Sequence, residues 1–315
     1  MNSISVLLIA LGVFAVGYLY VFIAALRRDA REGQPLAPKP LMGVVSFIAN
    51  FFDTLGVGSY ATTTAMVRFF KLMPDEKIPG SLNVGYVLPT MIQAYVTIHG
   101  VSGLGYAVAP VEVDPATLIT LIAAAILGAW LGAGVVSSWP RRKIQLGMGF
   151  CLAVAAIIML VRLTVFHSLD VGTTGLTGAR WVIGMGGLFV LGALMTLGIG
   201  LYAPCLILVT LLGMNAKSGY PIMMGACAFL MPVAVVQFIR ARAYYPPAML
   251  LMAIPGMLAV PLAFKWFQNL DLTWVKIVVI CVVAYAAITM LLTAYREKGT
   301  EVAARPASFE GAAAS

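Results

Sequence analysis

The chain has 315 residues, of which 61% are apolar and only 10% are charged, and its mean hydropathy is +0.97. A soluble domain usually carries about 25% charged residues, so this composition excludes an ordinary soluble protein and predicts a polytopic membrane protein. The net charge of +8 comes from basic residues in short loops between apolar segments. The positive-inside rule accounts for that placement, and no binding of nucleic acid is expected.

The first apolar segment covers residues 4–26 and is followed, not preceded, by basic residues, namely Arg27, Arg28 and Arg31. A secretory signal has its positive charges in front, so we expect an uncleaved transmembrane helix with its N-terminus outside. Eight further apolar segments follow at residues 41–70, 82–98, 116–136, 143–163, 181–213, 222–239, 247–267 and 274–294. The Ala/Glu/Ser-rich residues 296–315 are expected to form a disordered cytoplasmic tail.

Two of these segments, 41–70 and 181–213, have 30 and 33 residues. As helices they would be about 45–50 Å long, well beyond the roughly 30 Å hydrocarbon core. Near the middle of each lies the same octapeptide, TLGVGSYA at 54–61 and TLGIGLYA at 196–203, with six of eight positions identical and an offset of 142 residues. Glycine costs a helix about 1 kcal/mol relative to alanine, so both segments are predicted to break there.

Each long segment either crosses the membrane or breaks and returns to its starting side. If both return, fifteen Lys and Arg face the cytoplasm and five face outside; if both cross, the numbers are eleven and nine. The returning arrangement obeys the orientation rule better. It makes the two halves inverted copies about an axis in the membrane plane, as in many secondary transporters.

The predicted fold class is therefore an all-α polytopic membrane protein with two inverted repeats. Each repeat has a broken or re-entrant Gly-rich helical hairpin plus three spanning helices, and one extra N-terminal transmembrane helix precedes them. The expected units are the N-terminal helix and cytoplasmic loop at 1–40, the first repeat at 41–163, an inter-repeat loop at 164–180, the second repeat at 181–295 and the tail at 296–315.

A half-helix that begins just after Gly58 or Gly200 would direct its unpaired N–H groups toward the middle of the membrane. Two such ends form an anion site without lysine or arginine. The alternative is that the glycines only permit tight helix packing, and the duplication within over-long segments favours the site. The predicted substrate-binding residues are glycines, hydroxyls, amides and one thiol in or near the octapeptides: Thr54, Gly56, Gly58, Ser59, Thr62, Thr63, Asn83, Gln93, Thr196, Gly198, Gly200, Tyr202 and Cys205.

Several of these residues also have a purely structural interpretation. Buried amides such as Asn83 and Gln93 often serve only to join helices. Cys205 and Cys227 lie close to the expected site, where small core residues are the simpler interpretation.

Asp53 is the only carboxylate deep in an apolar segment, and its counterpart in the second half is Met195. Ionisable residues in such places are usually functional, so Asp53 is a candidate coupling residue. Three arrangements are open: a protonated carboxyl group, a position at the edge of the cavity, or an ion pair with Arg68 or Lys71.

No phosphate-binding loop, nucleophile elbow, HExxH motif or Cys/His metal spacing occurs in the chain, so an enzyme, a cofactor and a metal site are not expected. An anion channel is the nearest alternative to a carrier. A membrane protein without a transport function is not favoured, because the duplicated octapeptide would then have no explanation.

The pattern as a whole resembles the TauE/SafE family of sulfite exporters, also called the 4-toluenesulfonate uptake permease (TSUP) family, from about residue 41 to 294. The resemblance rests on FFDTLGVGSYATTT, TLGIGLYAPCLILV, PGSLNVG, SGYPIMMG, GAWLGA and IPGMLAV. It implies a bacterial inner-membrane carrier of a small sulfur-containing or organic anion, such as sulfite or a sulfonate. The implied partners are that anion and the lipid bilayer, and a homodimer is left open.

Export of a monoanion from a cell with a negative interior is favourable by about 2.3 kcal/mol per 100 mV and needs no ATP. Uptake would need a coupling ion, for which Asp53 is the only visible candidate. We therefore expect an exporter, with a proton-coupled uptake permease or an anion channel as the alternatives.

Overall fold

The computed structural model describes residues 3–33, 39–56, 58–74, 77–103, 106–132, 172–195, 200–267 and 272–296, together with scattered positions between 142 and 160. Most of the predicted segment at 143–163, residues 164–171 of the inter-repeat loop and nearly all of the C-terminal tail lie outside the described residues.

The regular secondary structure of the described residues is helical, apart from one short hairpin and an isolated bridge between Thr173 and Met214. The helices are α1 (Ser3–Arg31), α2 (Pro40–Thr54), α3 (Ser59–Phe69), α4 (Ile78–His99), α5 (Pro115–Leu127) with a π-helical extension at Gly128–Gly132, α6 (Gly178–Met195), α7 (Tyr202–Leu211), α8 (Gly219–Arg240), α9 (Ala248–Phe267) and α10 (Leu272–Arg296). Strands β1 (Val101–Gly103) and β2 (Tyr106–Val108) pair antiparallel, with Val101 opposite Val108. This hairpin was not predicted, because two strands of three residues are too short to show a periodic pattern.

Four of the described helices are long and apolar enough to cross a membrane: α1, α6, α8 and the Ala248–Trp266 part of α9. Together with the shorter apolar helices α2, α5 and α7, they confirm a multi-pass membrane protein. Helix α1, with 29 residues, is about 43 Å long and exceeds the hydrocarbon core of about 30 Å. Its C-terminal arginines therefore lie beyond the apolar part of the helix.

Both over-long segments are broken at the octapeptide, as predicted. Helix α2 ends at Thr54 and α3 begins at Ser59. Between them Gly56 and Gly58 adopt φ angles of +96° and +83°, which residues with a side chain rarely adopt. In the second half α6 ends at Met195 and α7 begins at Tyr202, with residues 196–199 outside the description.

Helices α4 and α8 follow the two breaks, have 22 residues each and pack extensively against each other at the centre of the molecule. Helix α9 packs across α2 and α4, and α5 packs against α6 and α8. Glycine permits the close approaches: a Cβ on Gly80 would lie 1.8 Å from the Ala243 carbonyl oxygen, and one on Gly192 would lie 2.1 Å from that of Ala125. Small residues at such contacts are typical of helix packing in membranes.

Candidate functional site

A small cavity lies between the two breaks and the central helices α4 and α8. Its described lining is Asp53, Gly58, Ser59, Tyr60, Thr90, Met195, Gly200, Leu201, Tyr202, Cys227 and Met231. The volume is about 20 Å³, enough for roughly one water molecule. In the conformation described, the site therefore has no room for an oxyanion.

Eight of the lining residues form four pairs that are related by the 142-residue offset of the internal repeat. The pairs are Asp53 and Met195, Gly58 and Gly200, Ser59 and Leu201, and Tyr60 and Tyr202. The equivalent ends of the two duplicated segments thus meet at a single cavity. That meeting gives the repetition of the octapeptide a structural reason.

Asp53 is buried, with 2% of its surface exposed, and both of its carboxylate oxygens accept hydrogen bonds. Oδ1 accepts from the backbone N–H of Ser59 at 2.5 Å, and Oδ2 accepts from Nε2 of Gln93 at 3.0 Å. Ser59 is the first residue of α3, so the carboxylate lies at a helix N-terminus, where a negative charge is stabilised. The expectation of free N–H groups at this helix end therefore needs correction, because the chain's own carboxylate accepts the Ser59 N–H.

The partners of Asp53 are neutral groups rather than cations. The described ion pairs are Arg28 with Asp29 and Arg242 with Glu32. The side chain of Arg68, one of the two cations considered as a partner, is not among those described. Among the three arrangements considered for Asp53, the described geometry corresponds to a carboxyl group at the edge of the cavity.

Gln93 joins the two halves of the protein behind the cavity wall. Its Nε2 donates to Thr54 Oγ1 at 3.0 Å as well as to Asp53, and its Oε1 accepts from the Tyr202 hydroxyl at 2.7 Å. Since α2 contributes two of its partners and α7 contributes the third, this amide on α4 fixes the first break relative to the second. Gln93 is a positioning residue, because it is not part of the cavity lining.

The hydroxyl group of Tyr60 has no hydrogen-bond partner among the described residues, although Tyr60 is only 5% exposed. A buried hydroxyl without a partner costs about 1–3 kcal/mol, and such a group in a folded protein needs an explanation. Tyr60 lines the cavity. The hydroxyl oxygen is itself buried in the conformation described, so it can donate to a bound molecule only when the cavity widens.

The opposite wall is apolar and rich in sulfur. The Cys227 thiol lies 3.5 Å from Met195 Sδ, and Leu201 and Met231 complete that side. The chain around the first break, with α4, thus supplies most of the polar wall, and the chain around the second break, with α8, supplies the apolar one.

Four residues predicted from the first octapeptide and its surroundings do not line the cavity. The Thr54 hydroxyl donates to the Asn50 carbonyl oxygen at 2.8 Å. The Thr62 hydroxyl donates to the carbonyl oxygens of Gly58 and Ser59 within its own helix turn, and the Thr63 hydroxyl oxygen lies 2.8 Å from that of Tyr86. Gly56 adjoins Tyr220, whose hydroxyl oxygen would be 3.2 Å from an added Cβ.

The remaining predicted residues also lie away from the cavity or outside the described residues. Asn83 donates to the Pro79 carbonyl oxygen and is ten residues before Gln93, or about 15 Å along α4. Cys205 is fully buried in α7 without lining the cavity. Thr196 and Gly198 lie outside the description.

Sequence reasoning missed several lining residues that a signal in the sequence could have identified. Tyr60 is the counterpart of Tyr202 at the repeat offset, and Thr90 is three residues before Gln93, on the same face of α4. Cys227 was noted only as a neighbour of the site. Met231 is four residues after Cys227 on α8, but an apolar residue in an apolar helix gives no signal by itself.

A family model described as "Sulfite exporter TauE/SafE" matches residues 80–290, which is more than half of the chain. The match begins within α4, so it includes the second octapeptide and leaves out the first. Comparisons with curated proteins and with solved structures gave no match. The match confirms the resemblance found in the sequence motifs, and the chain belongs to the TauE/SafE sulfite exporter family of membrane transporters.

Proposed function

We propose that the protein is a secondary transporter that exports a small sulfur-containing or organic anion, which binds in the cavity between the two octapeptides near the middle of the membrane. The family supports transport of a sulfite-type anion. One observation carries the location: a buried cavity lined by equivalent residues of both repeats, with the unpartnered Tyr60 hydroxyl at its wall.

The two walls of the cavity suit an anion with a charged end and a less polar end. Ser59 N–H, Tyr60 O–H and Thr90 O–H provide donors on one side, while Met195 and Leu201 provide apolar contacts on the other. A sulfonate, with three acceptor oxygens and a carbon substituent, matches both walls. Sulfite uses the polar wall alone.

Asp53 competes with such an anion for the N-terminus of α3. Its carboxylate already accepts the Ser59 N–H, and a second negative charge at the same place is repelled. Binding of the anion therefore requires protonation or displacement of the Asp53 carboxylate. This competition makes Asp53 the residue that controls binding of the anion, and it is the coupling residue in the proton-coupled alternative.

A cavity of about 20 Å³ must widen before an oxyanion fits. In the proposed cycle the two repeats are inverted copies that open the site alternately to either side. The N-terminus lies outside and the C-terminus in the cytoplasm of a bacterial cell, with the protein in the inner membrane.

Proton-coupled uptake is a second candidate, favoured by the buried carboxylate of Asp53 at the cavity wall. The two directions differ in their driving force. Export of a monoanion follows the membrane potential, whereas coupled uptake follows an inward proton gradient. A measurement of flux against anion concentration distinguishes a carrier from a channel, because the flux of an exporter or an uptake permease saturates.

The decisive experiment measures flux of radiolabelled sulfite, thiosulfate and sulfoacetate in proteoliposomes for the wild type and Gly200→Leu. A Cβ at Gly200 meets no atom within 4 Å, and Gly200 is not among the glycines with positive φ. Leucine therefore extends into the cavity without backbone strain. We expect flux to fall by at least about tenfold, equivalent to roughly 1.4 kcal/mol, while the protein still inserts and unfolds cooperatively.

Gly186→Leu is the matched control. Gly186 also has open space around its Cβ position, but it lies on the exposed face of α6. This variant should transport like the wild type. Undiminished flux in Gly200→Leu would contradict the location of the site.

A further inference from the structure

Helix α1 has a stripe of exposed apolar side chains along one face. Val13, Val16, Tyr20 and Ile23 are 64%, 69%, 77% and 43% exposed, and their spacing of three, four and three residues places them in one line. Val6 and Ile9, which are 50% and 56% exposed, extend the same line toward the N-terminus. The apolar line is therefore about 25 Å long and nearly spans the roughly 30 Å hydrocarbon core.

The stripe becomes cationic where the apolar part of α1 ends. Arg27 and Arg31 follow Ile23 at steps of four residues, and both are exposed. The apolar line thus ends at two guanidinium groups.

A cleft of about 630 Å³ lies at this junction. Its described lining is Tyr20, Ile23, Ala24, Arg27, Arg28, Arg31 and Glu32. The volume falls within the range of about 300–1,000 Å³ that is usual for small-molecule sites. The cleft is apolar toward the membrane and charged at its other end.

The one acidic group among the described lining residues is already paired. Glu32 accepts hydrogen bonds of 2.5 and 2.7 Å from the Arg242 guanidinium, which lowers the pKa of Glu32 below its ordinary value. Arg28 donates to Asp29 and to the Tyr244 hydroxyl. Arg27 and Arg31 have no acidic partner among the described residues, so the cleft keeps a net positive charge.

We propose that this cleft binds one anionic phospholipid, with the phosphate on Arg27 and Arg31 and an acyl chain along the stripe from Val13 to Ile23. Guanidinium groups bind phosphate oxygens in a geometry that matches their donors, and basic pockets at the membrane surface recognise acidic headgroups. A free phosphate ion would contact only the arginines, whereas a phospholipid contacts both the arginines and the apolar residues that lead up to them. The continuity of the two favours a lipid.

A bound lipid would anchor α1, which precedes the residues matched by the family model. Helix α1 is joined to the central helices by the Tyr18 hydroxyl, which donates to the Val84 carbonyl oxygen at 2.6 Å. Near the cleft, Tyr244, in the turn after α8, donates to Asp29. The lipid site is therefore in contact with the elements that position α4 and α8.

The test is native mass spectrometry of the purified full-length protein titrated with phosphatidylglycerol or phosphatidylcholine of identical acyl chains. We expect the wild type to retain one phosphatidylglycerol at least about fivefold better than phosphatidylcholine. The double variant Arg27→Gln/Arg31→Gln should lose this preference, and Arg27→Lys/Arg31→Lys should keep part of it. Because both arginines are exposed, the variants should fold normally.

Arg240→Gln is the control, since Arg240 is an exposed arginine at the end of α8 and does not line the cleft. It should retain the wild-type preference. Equal retention of both lipids by the wild type, or an unchanged preference in the double glutamine variant, would overturn the proposal. Displacement of phosphatidylglycerol by millimolar inorganic phosphate would also overturn it, because it would indicate a site for soluble anions.

Discussion

The two copies of the octapeptide form equivalent walls of one cavity but have different chemistry. Both keep a glycine and a tyrosine there, whereas Ser59 of the first copy is replaced by Leu201 in the second. Asp53, which immediately precedes the first copy, is likewise replaced by Met195. The retained residues preserve the break and the meeting of the two ends. The replaced residues make one wall polar and the other apolar, so a symmetric duplication has become an asymmetric site.

The largest expected difference between the copies is between Asp53→Leu and Met195→Leu. Asp53→Leu leaves the Ser59 N–H and the Gln93 amide buried without their acceptor, at about 1–3 kcal/mol each, and removes the proposed coupling group. We expect flux to fall by roughly 100-fold, equivalent to about 2.7 kcal/mol. Met195→Leu nearly conserves volume, costs less than about 1.5 kcal/mol and should change flux only a few-fold.

Flux in proteoliposomes and thermal unfolding in detergent, measured on both variants, decide this prediction. Equal losses of flux in the two variants would contradict the assignment of a polar and an apolar wall.

The two tyrosines should separate binding from stability. The Tyr60 hydroxyl has no described partner, so Tyr60→Phe should leave thermal stability unchanged or higher. It should weaken anion affinity by roughly tenfold, because a hydrogen bond to a charged group is worth about 1.5–3 kcal/mol. Tyr202 donates to Gln93, so Tyr202→Phe should lower the free energy of unfolding by about 1–3 kcal/mol.

The measurement is a thermal-shift titration of each tyrosine variant with the transported anion. The prediction is wrong if Tyr60→Phe binds the anion like the wild type, or if Tyr202→Phe is as stable as the wild type.

The smallest expected effect on stability concerns the N-cap of helix α5, which has no equivalent in the second half. Asp114 accepts hydrogen bonds from the Thr117 backbone N–H at 2.8 Å and from the Thr117 hydroxyl at 2.7 Å. These bonds, chiefly the one from the backbone N–H, lower the pKa of Asp114 below its ordinary value. Helix α9, the counterpart of α5, follows Pro246 and Pro247 and has no carboxylate there. Asp114→Ala should cost about 1 kcal/mol at pH 7.

The pH dependence of that difference follows from the lowered pKa. A carboxylate with a depressed folded-state pKa stabilises the protein above the unfolded value of about 3.9, and this contribution is lost as the pH falls through the folded value. The stability difference between the wild type and Asp114→Ala should therefore be constant from pH 7 to about 5 and shrink below about 4. Unfolding curves at pH 7 and pH 3 measure it, and a difference that grows toward low pH would contradict the capping role.

Features that depend on neighbouring residues could be predicted from the sequence. Composition and the apolar runs predict the membrane class, and the length of the two long segments with their central glycines predicts the breaks at residues 55–58 and after Met195. The predicted segment at 82–98 lies inside α4, which begins four residues earlier at Ile78. Proline is well tolerated in the first turn of a helix, so Pro79 does not delay its start.

Only the tertiary structure decided which polar groups meet. Gln93 bonds to Asp53 and to Tyr202, which are 40 and 109 residues away, while Thr63 lies against Tyr86 instead of the cavity. The sequence by itself determined that the chain is a duplicated, glycine-broken membrane protein, because apolar runs and glycine breaks act over a few neighbouring residues. The partners of Asp53 and the unpartnered hydroxyl of Tyr60 depend on how helices distant in sequence pack, and no local periodicity encodes that packing.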